Sequence, residues 1–170
     1  MQTILSSPLE QKSIPKYAEM EDGPLMGSRN HSYVQGNLVI AFSQLQKYVV
    51  LPELSLEVAG KEYKPDICLY PEEYDLPNLA EDVIKETCLP LLAVEILSPR
   101  QVMMDIMTKF KAYFEAGIPS AWIVIPSGNT VLVYSDLFTA NAFSSGNVID
   151  EKLNIRLPLN SVFHQRKHLD

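Results

Sequence analysis

The run Leu89-Pro90-Leu91-Leu92-Ala93-Val94-Glu95-Ile96-Leu97-Ser98-Pro99 constrains this chain more than any other stretch. Its apolar middle reads as a buried strand. One carboxylate, Glu95, is set inside it. A charge there is costly unless it is paired, neutralised or bound to a metal. The rest of the chain has to supply that compensation.

Downstream, Ser98-Pro99 offers an N-cap followed by proline at the first helical position. Val102, Ile106, Phe110 and Phe114 then recur every four residues, and Gly117 with Pro119 supplies a stop. A helix is therefore expected from Pro99 to Gly117. Two strands, Trp122 to Ile125 and Thr130 to Tyr134, flank the turn Pro126-Ser127-Gly128-Asn129. Upstream, Val34, Leu38, Ala41, Phe42 and Leu45 predict a helix over Tyr33 to Tyr48, capped by Asn30 or Ser32. Leu54 to Val58 and Glu62 to Tyr70 form a hairpin around Ala59-Gly60-Lys61, with Pro65 favouring an edge or a distortion. Pro71 to Thr87 reads as a surface excursion with a helical turn around Glu81 to Ile84. Asn154 to Leu157 adds a short last strand.

The strand–helix–strand step at 91–125 argues for a parallel pair inside an otherwise antiparallel, mixed sheet. The expectation is a single mixed α/β domain over 29–163, after an arm at 1–28 and before a polar tail at 164–170. No internal repeat or domain linker interrupts it.

Strand side chains alternate faces, so Asp66 shares one side with Cys68 and Tyr70, and Glu95 shares one with Ala93 and Leu97. On neighbouring strands, Asp66 and Glu95 would converge. Two close carboxylates repel, and a hard divalent cation relieves that repulsion through oxygen ligands. Asp105, Lys109 and Tyr113 fall at i, i+4 and i+8, along one helical face. A helix packed across the sheet would bring the Lys109 ammonium beside the acids, to hold a water or to offset charge on a phosphoryl transition state.

Plainer readings stand beside these. Glu95 could pair with a buried Lys or Arg, and Asp66 could be a turn acid. Asp105 and Lys109 could be a surface ion pair worth about 0.2–0.5 kcal/mol. Tyr113 reads as packing with a hydroxyl contact to the site, and His31 as a helix-start residue or one near phosphate or metal. Arg29, Arg100 and Lys111 are surface charges or a local positive rim, and Trp122 is core.

Composition narrows the class. A hydrophobic fraction of 46% with 21% charged residues is ordinary for a soluble globular protein. No apolar run approaches the roughly 18 residues of a membrane helix, so no membrane partner is expected. Met1 to Ser7 has neither a charged n-region nor a long apolar h-region, so no secretory signal is expected. Cys68 and Cys88 lack CxxC spacing and companion His residues, which points to reduced thiols in a cytoplasm. A net charge of −7 opposes generic polyanion binding, since that draws on Lys and Arg. A local basic groove would still serve a nucleic-acid enzyme whose metal carboxylates add negative charge.

Taken together, Pro65-Asp66, the Glu95 strand, Ser98-Pro99 and the helix with Asp105, Lys109 and Tyr113 resemble the PD-(D/E)XK nuclease superfamily. More narrowly they resemble its Uma-type branch of bacterial endonucleases. The likeness continues through Gly117-Ile118-Pro119 and Ala121-Trp122-Ile123-Val124-Ile125-Pro126. Upstream, Glu21-Asp22-Gly23-Pro24-Leu25-Met26 and the His31 helix also match. It covers most of residues 20–135. The resemblance implies a restriction-endonuclease-like mixed β-sheet flanked by helices, with Asp66 and Glu95 binding Mg²⁺ or Mn²⁺ to hydrolyse phosphodiester bonds in DNA. The parent motif has Lys two residues after the acid, where this chain has Leu97. Lys109 is expected to supply the amine from the neighbouring helix. Related sequences often carry an acid near the first helix, where this chain has Gly27-Ser28-Arg29-Asn30.

The function expected is that of a metal-dependent endonuclease. The alternative is a weak or inactive nuclease-fold module that binds nucleic acid or a protein partner; a structural assembly subunit is a third class. Leu137, Phe138 and Phe143 are expected to be exposed and to suit a homodimer contact.

Overall fold

Two long helices and a row of short strands make up the chain in a computed structural model, which describes residues 27–74 and 79–164. In chain order these are α1 (Arg29–Ser43), β1 (Tyr48–Pro52), β2 (Leu56–Val58), β3 (Lys61–Tyr63), β4 (Ile67–Pro71) and β5 (Leu92–Ile96). Then follow α2 (Met103–Ala116), β6 (Ser120–Ile125), β7 (Thr130–Asp136), β8 (Thr139–Phe143), β9 (Asn147–Asp150), β10 (Ile155–Pro158) and α3 (Leu159–Phe163).

The main sheet runs β1-β4-β5-β6-β7-β8, and β5 pairs parallel with β6 while its other neighbours pair antiparallel. Parallel neighbours need a crossover, and α2 is that crossover. This is the mixed sheet that the strand–helix–strand pattern predicts. β5 is central and buried throughout. Its alternation sorts the core into two layers. Val94 and Ile96 join Val34, Leu38 and Phe42 of α1, whereas Ala93 joins Ile106, Phe110 and Tyr113 of α2. Trp122 lies in the first layer, its ring 5.3 Å from that of Phe42.

Several boundaries differ from the sequence expectation, each for a physical reason. α1 is capped by Ser28, whose Oγ accepts the His31 N–H, rather than by Asn30 or Ser32. It ends at Ser43, and Gln46 takes a left-handed conformation (φ 52°) that turns the chain into β1, an edge strand the helical reading of Tyr48 concealed. The long hairpin arm divides at Pro65, which has no N–H to donate to a ladder. β2 and β3 form a separate ribbon, and only the part after Pro65 joins the main sheet.

α2 begins at Met103, with Val102 rather than Ser98 at the N-cap position. Gln101 N–H instead donates to the Ser98 carbonyl at 3.0 Å, closing a turn ahead of the helix. Val102 is thus exposed, and the buried stripe is Ile106, Phe110 and Tyr113. Gly117 ends α2 at φ 102°, as its position predicts. Around Glu81 to Ile84 the chain bends without a helical turn. β8, β9 and α3 carry too little apolar periodicity to have been read. Of the three apolar residues assigned to a contact surface, Phe138 is exposed, while Leu137 and Phe143 pack partly against the core.

Most of the arm expected at 1–28 and of the tail at 164–170 lies outside the described residues. Among the described residues, no helix is long and apolar enough to cross a membrane. Cys68 is buried and Cys88 exposed, and both are free thiols.

Candidate active site

The site forms where β4 and β5 part company. Ile67 pairs with Val94, the last pair of their ladder toward that end, so the next residues in register are Asp66 and Glu95. In place of another backbone bond, Ile96 N–H donates to Asp66 Oδ2 at 2.5 Å. The backbone carbonyl of Asp66 accepts from Glu53 N–H and Gln35 Nε2. Its carboxylate is thereby fixed beside the central strand, with Oδ1 3.1 Å from His31 Nε2 on α1.

Glu95 points to the α2 side. Lys109 Nζ donates to Oε2 at 2.6 Å, and Tyr113 OH donates to Oε1 at 2.9 Å. Lys109 and Tyr113 are one helical turn apart, so one face of α2 grips both oxygens. The Glu95 side chain is 2% exposed and that of Lys109 is 29% exposed, so the pair spans from the floor of the site to its mouth. Every buried side-chain polar atom among the described residues has a partner.

The electrostatics follow from the geometry. Burial pushes the Glu95 carboxyl up; Lys109 pulls it back and Asp66 pushes it further up, leaving it at about 7. The bond to Asp66 raises the His31 imidazole above its ordinary value, against the effect of burial. Burial and the neighbouring carboxylate raise the Tyr113 phenol well beyond its usual range, which keeps it a hydrogen-bond donor. Each acid thus faces a nitrogen base: His31 on Asp66 and Lys109 on Glu95.

His31, Asp66, Glu95 and Lys109 line a cleft of about 470 Å³, with Tyr113 buried behind Glu95. Asp66, Glu95 and Lys109, expected to converge, share this cleft, and of the residues expected in support His31 and Tyr113 reach it through Asp66 and Glu95. Asp105 does not. It is exposed on the first turn of α2 and makes no side-chain ion pair among the described residues, because Lys109 turns to Glu95. Arg29, Arg100 and Lys111 are exposed and stand off the cleft wall. Lys64 is the cation at its rim, paired with Glu53 at 2.7 Å.

Gln35, Glu53, Lys64 and Gln101 also line the cleft and escaped the sequence reading. Gln35 had a usable signal, since it follows His31 by four residues on the same helix face. Glu53 had none, because a left-handed turn (φ 56°) after β1 is what aims it.

A mixed sheet with a central parallel pair, its crossover helix on one face and a second helix on the other, places this chain in the restriction-endonuclease-like fold class. The chain belongs to the Uma2 family, described as "putative restriction endonuclease", which matches residues 15–155. Among solved structures it is similar to a "putative nuclease belonging to DUF820" from Anabaena variabilis, with a TM-score of 0.68 and 20% identity over 81% of this chain and 82% of that one. A comparison with curated proteins finds no match.

Proposed function

We propose that this protein is a divalent-cation-dependent endonuclease that hydrolyses phosphodiester bonds in DNA. The observation that carries the reading is Glu95, a buried carboxylate gripped by Lys109 and Tyr113 at the floor of a cleft that Asp66 shares. The family description supports the nuclease class.

The donor set fits Mg²⁺ or Mn²⁺ in chemistry. Among the described residues no three His, Cys, Asp or Glu side chains are grouped as a complete metal cage. Two carboxylates, with water and substrate phosphate completing the shell, are what Mg²⁺ sites commonly use. Asp66 and Glu95 would hold the ion. When bound, it supplies a Lewis acid for the phosphate and lowers the pKa of a coordinated water. Lys109, at the mouth, replaces the amine missing at Leu97: its ammonium orients the attacking water and offsets charge developing on the phosphoryl group. His31 fixes the Asp66 carboxylate from α1, where the sequence has no acid. Lys64 offers a second positive charge to the strand entering the cleft.

The test is plasmid cleavage with Mg²⁺, with EDTA, and with the variants Glu95→Gln and Lys109→Met. Gln is near-isosteric with Glu and can still accept from Tyr113, so the fold should survive. Each substitution is expected to lower cleavage by at least about a hundredfold, and EDTA should abolish it. Equal cleavage by wild type and Glu95→Gln would falsify the assignment. Cation binding without cleavage by the wild type would favour a binding module that has lost turnover.

A further inference from the structure

Among the described residues, three acids line the cleft, each facing a basic side chain: Asp66 with His31, Glu95 with Lys109, and Glu53 with Lys64. The first two acids are the proposed ligands of the ion. The third has no part in that role, yet its carboxylate is held from several sides. Glu53 takes a left-handed conformation (φ 56°), which is strained for a residue other than glycine and persists where surrounding bonds over-determine it. Its N–H donates to the Asp66 carbonyl at 3.1 Å. Gln35 Nε2 donates to that same carbonyl and to Glu53 Oε1, each at 2.9 Å. Glu53 Oε2 is left for Lys64, whose Nζ lies 2.7 Å away.

The two cleft lysines differ in what their departure would cost. Lys109 is bound to a carboxyl that is 2% exposed, and stripping a buried charge of its partner is heavily penalised. Lys64 and Glu53 have side chains 59% and 46% exposed, so water can replace either partner, and such a pair is weak. Gln35 keeps its hold on Oε1 when Lys64 leaves, which restrains the freed carboxylate. Lys64 also stands two residues before Asp66, with the fixed φ of Pro65 between them, and the Asp66 carboxylate acts on it electrostatically. A phosphate taken by Lys64 therefore lies near the one held at Asp66. An ammonium serves as a point charge for phosphate, and each DNA phosphate so neutralised releases counterions and favours binding.

Resting on the nuclease reading above, we infer that the Glu53–Lys64 pair is a counter-ion switch: Lys64 rests on Glu53 in the free protein and passes to a DNA backbone phosphate as the strand enters, while Gln35 retains Glu53. Glu53 thus competes with the substrate for Lys64, and the two residues set affinity in opposite directions. The test is anisotropy of a fluorescent duplex oligonucleotide with the full chain, in EDTA, across a series of salt concentrations. Lys64→Met is expected to weaken binding about tenfold at low salt and to reduce the slope of log affinity against log salt by about 1. Lys64→Arg should retain both. Glu53→Gln keeps an acceptor for Gln35 but frees Lys64, and should tighten binding about threefold. No binding by the wild type, an unchanged slope in Lys64→Met, equal losses in Lys64→Met and Lys64→Arg, or unchanged or weaker binding by Glu53→Gln would overturn the switch. Plasmid cleavage by the wild type with Mg²⁺ alongside any of those results would leave the nuclease reading standing. Binding that follows Lys64 and Glu53 as expected, with no cleavage, would overturn that reading and uphold the phosphate contact.

Discussion

At Glu95, burial and the Asp66 carboxylate oppose ionisation while Lys109 favours it, and the balance leaves the group near neutrality. This has a consequence for stability. The folded pKa of about 7 lies above the ordinary 4.5, so the folded state holds the proton more tightly. The resulting stabilisation is complete below the unfolded value and is lost as pH rises through the folded one. His31 is raised above 6.5 and acts in the same direction, its contribution fading as pH climbs past that value. Metal-free protein should therefore melt at a lower temperature at about pH 8 than at about pH 5. The slope should flatten in Glu95→Gln, and scanning calorimetry across that range measures both. A wild-type profile independent of pH would contradict the account. The residues behind this behaviour were legible in the sequence because an acid in an apolar strand demands a partner, and a four-residue spacing names candidates for it. Lys109, the residue expected beside the acids, does reach Glu95. The fate of Asp105 was not legible: it shares that helix face and was expected in support, yet it stays in water.

Among the elements, α2 shows how local signals and packing divide the work. Gly117 ends it in a left-handed conformation, with the Ile118 N–H returning to the Tyr113 carbonyl at 3.0 Å. A Cβ there would meet nothing within 4 Å, so Gly117→Ala should cost only the backbone strain, about 1–2 kcal/mol. Gly36, inside α1, also faces open space but has ordinary helical geometry. Gly36→Ala should stabilise by about 0.5–1 kcal/mol. Urea unfolding of the two variants should thus give opposite signs; matching signs would refute the backbone argument. The C-terminal stop was readable because a left-handed turn has few residues to choose from. The N-terminal start was misread because a Ser-Pro pair fits a cap and a turn equally well. Only the Ser98–Gln101 turn, which keeps both residues at the cleft wall, decides between them.

On the scale of the molecule, the small β9–β10 ribbon is fastened to the main sheet through one buried acid. Asp150 Oδ2 accepts from Ser120 Oγ at 2.5 Å and from Trp122 Nε1 at 2.8 Å, and its Oδ1 accepts from Leu153 N–H. Asp150→Ala would leave the indole buried without an acceptor, and the Ser120 hydroxyl with only its 3.3 Å contact to the Tyr134 carbonyl. It should cost about 3 kcal/mol or more in chemical unfolding. A loss below about 1 kcal/mol would mean that apolar contacts, not this network, hold the ribbon.

Strand alternation and helical spacing are properties of neighbouring residues, so the sequence alone determined the mixed α/β class, the parallel step around α2 and the acids on β5 and just before β4. The Leu89–Pro99 run already required Glu95 to have a partner. What only the tertiary structure decided are the contacts between residues distant in the chain. These are the splaying of β4 from β5 that lets Asp66 reach the Ile96 amide, the approach of His31 from the opposite layer, and the turn that aims Glu53. Such contacts depend on how layers pack, and packing leaves no fixed period in a sequence.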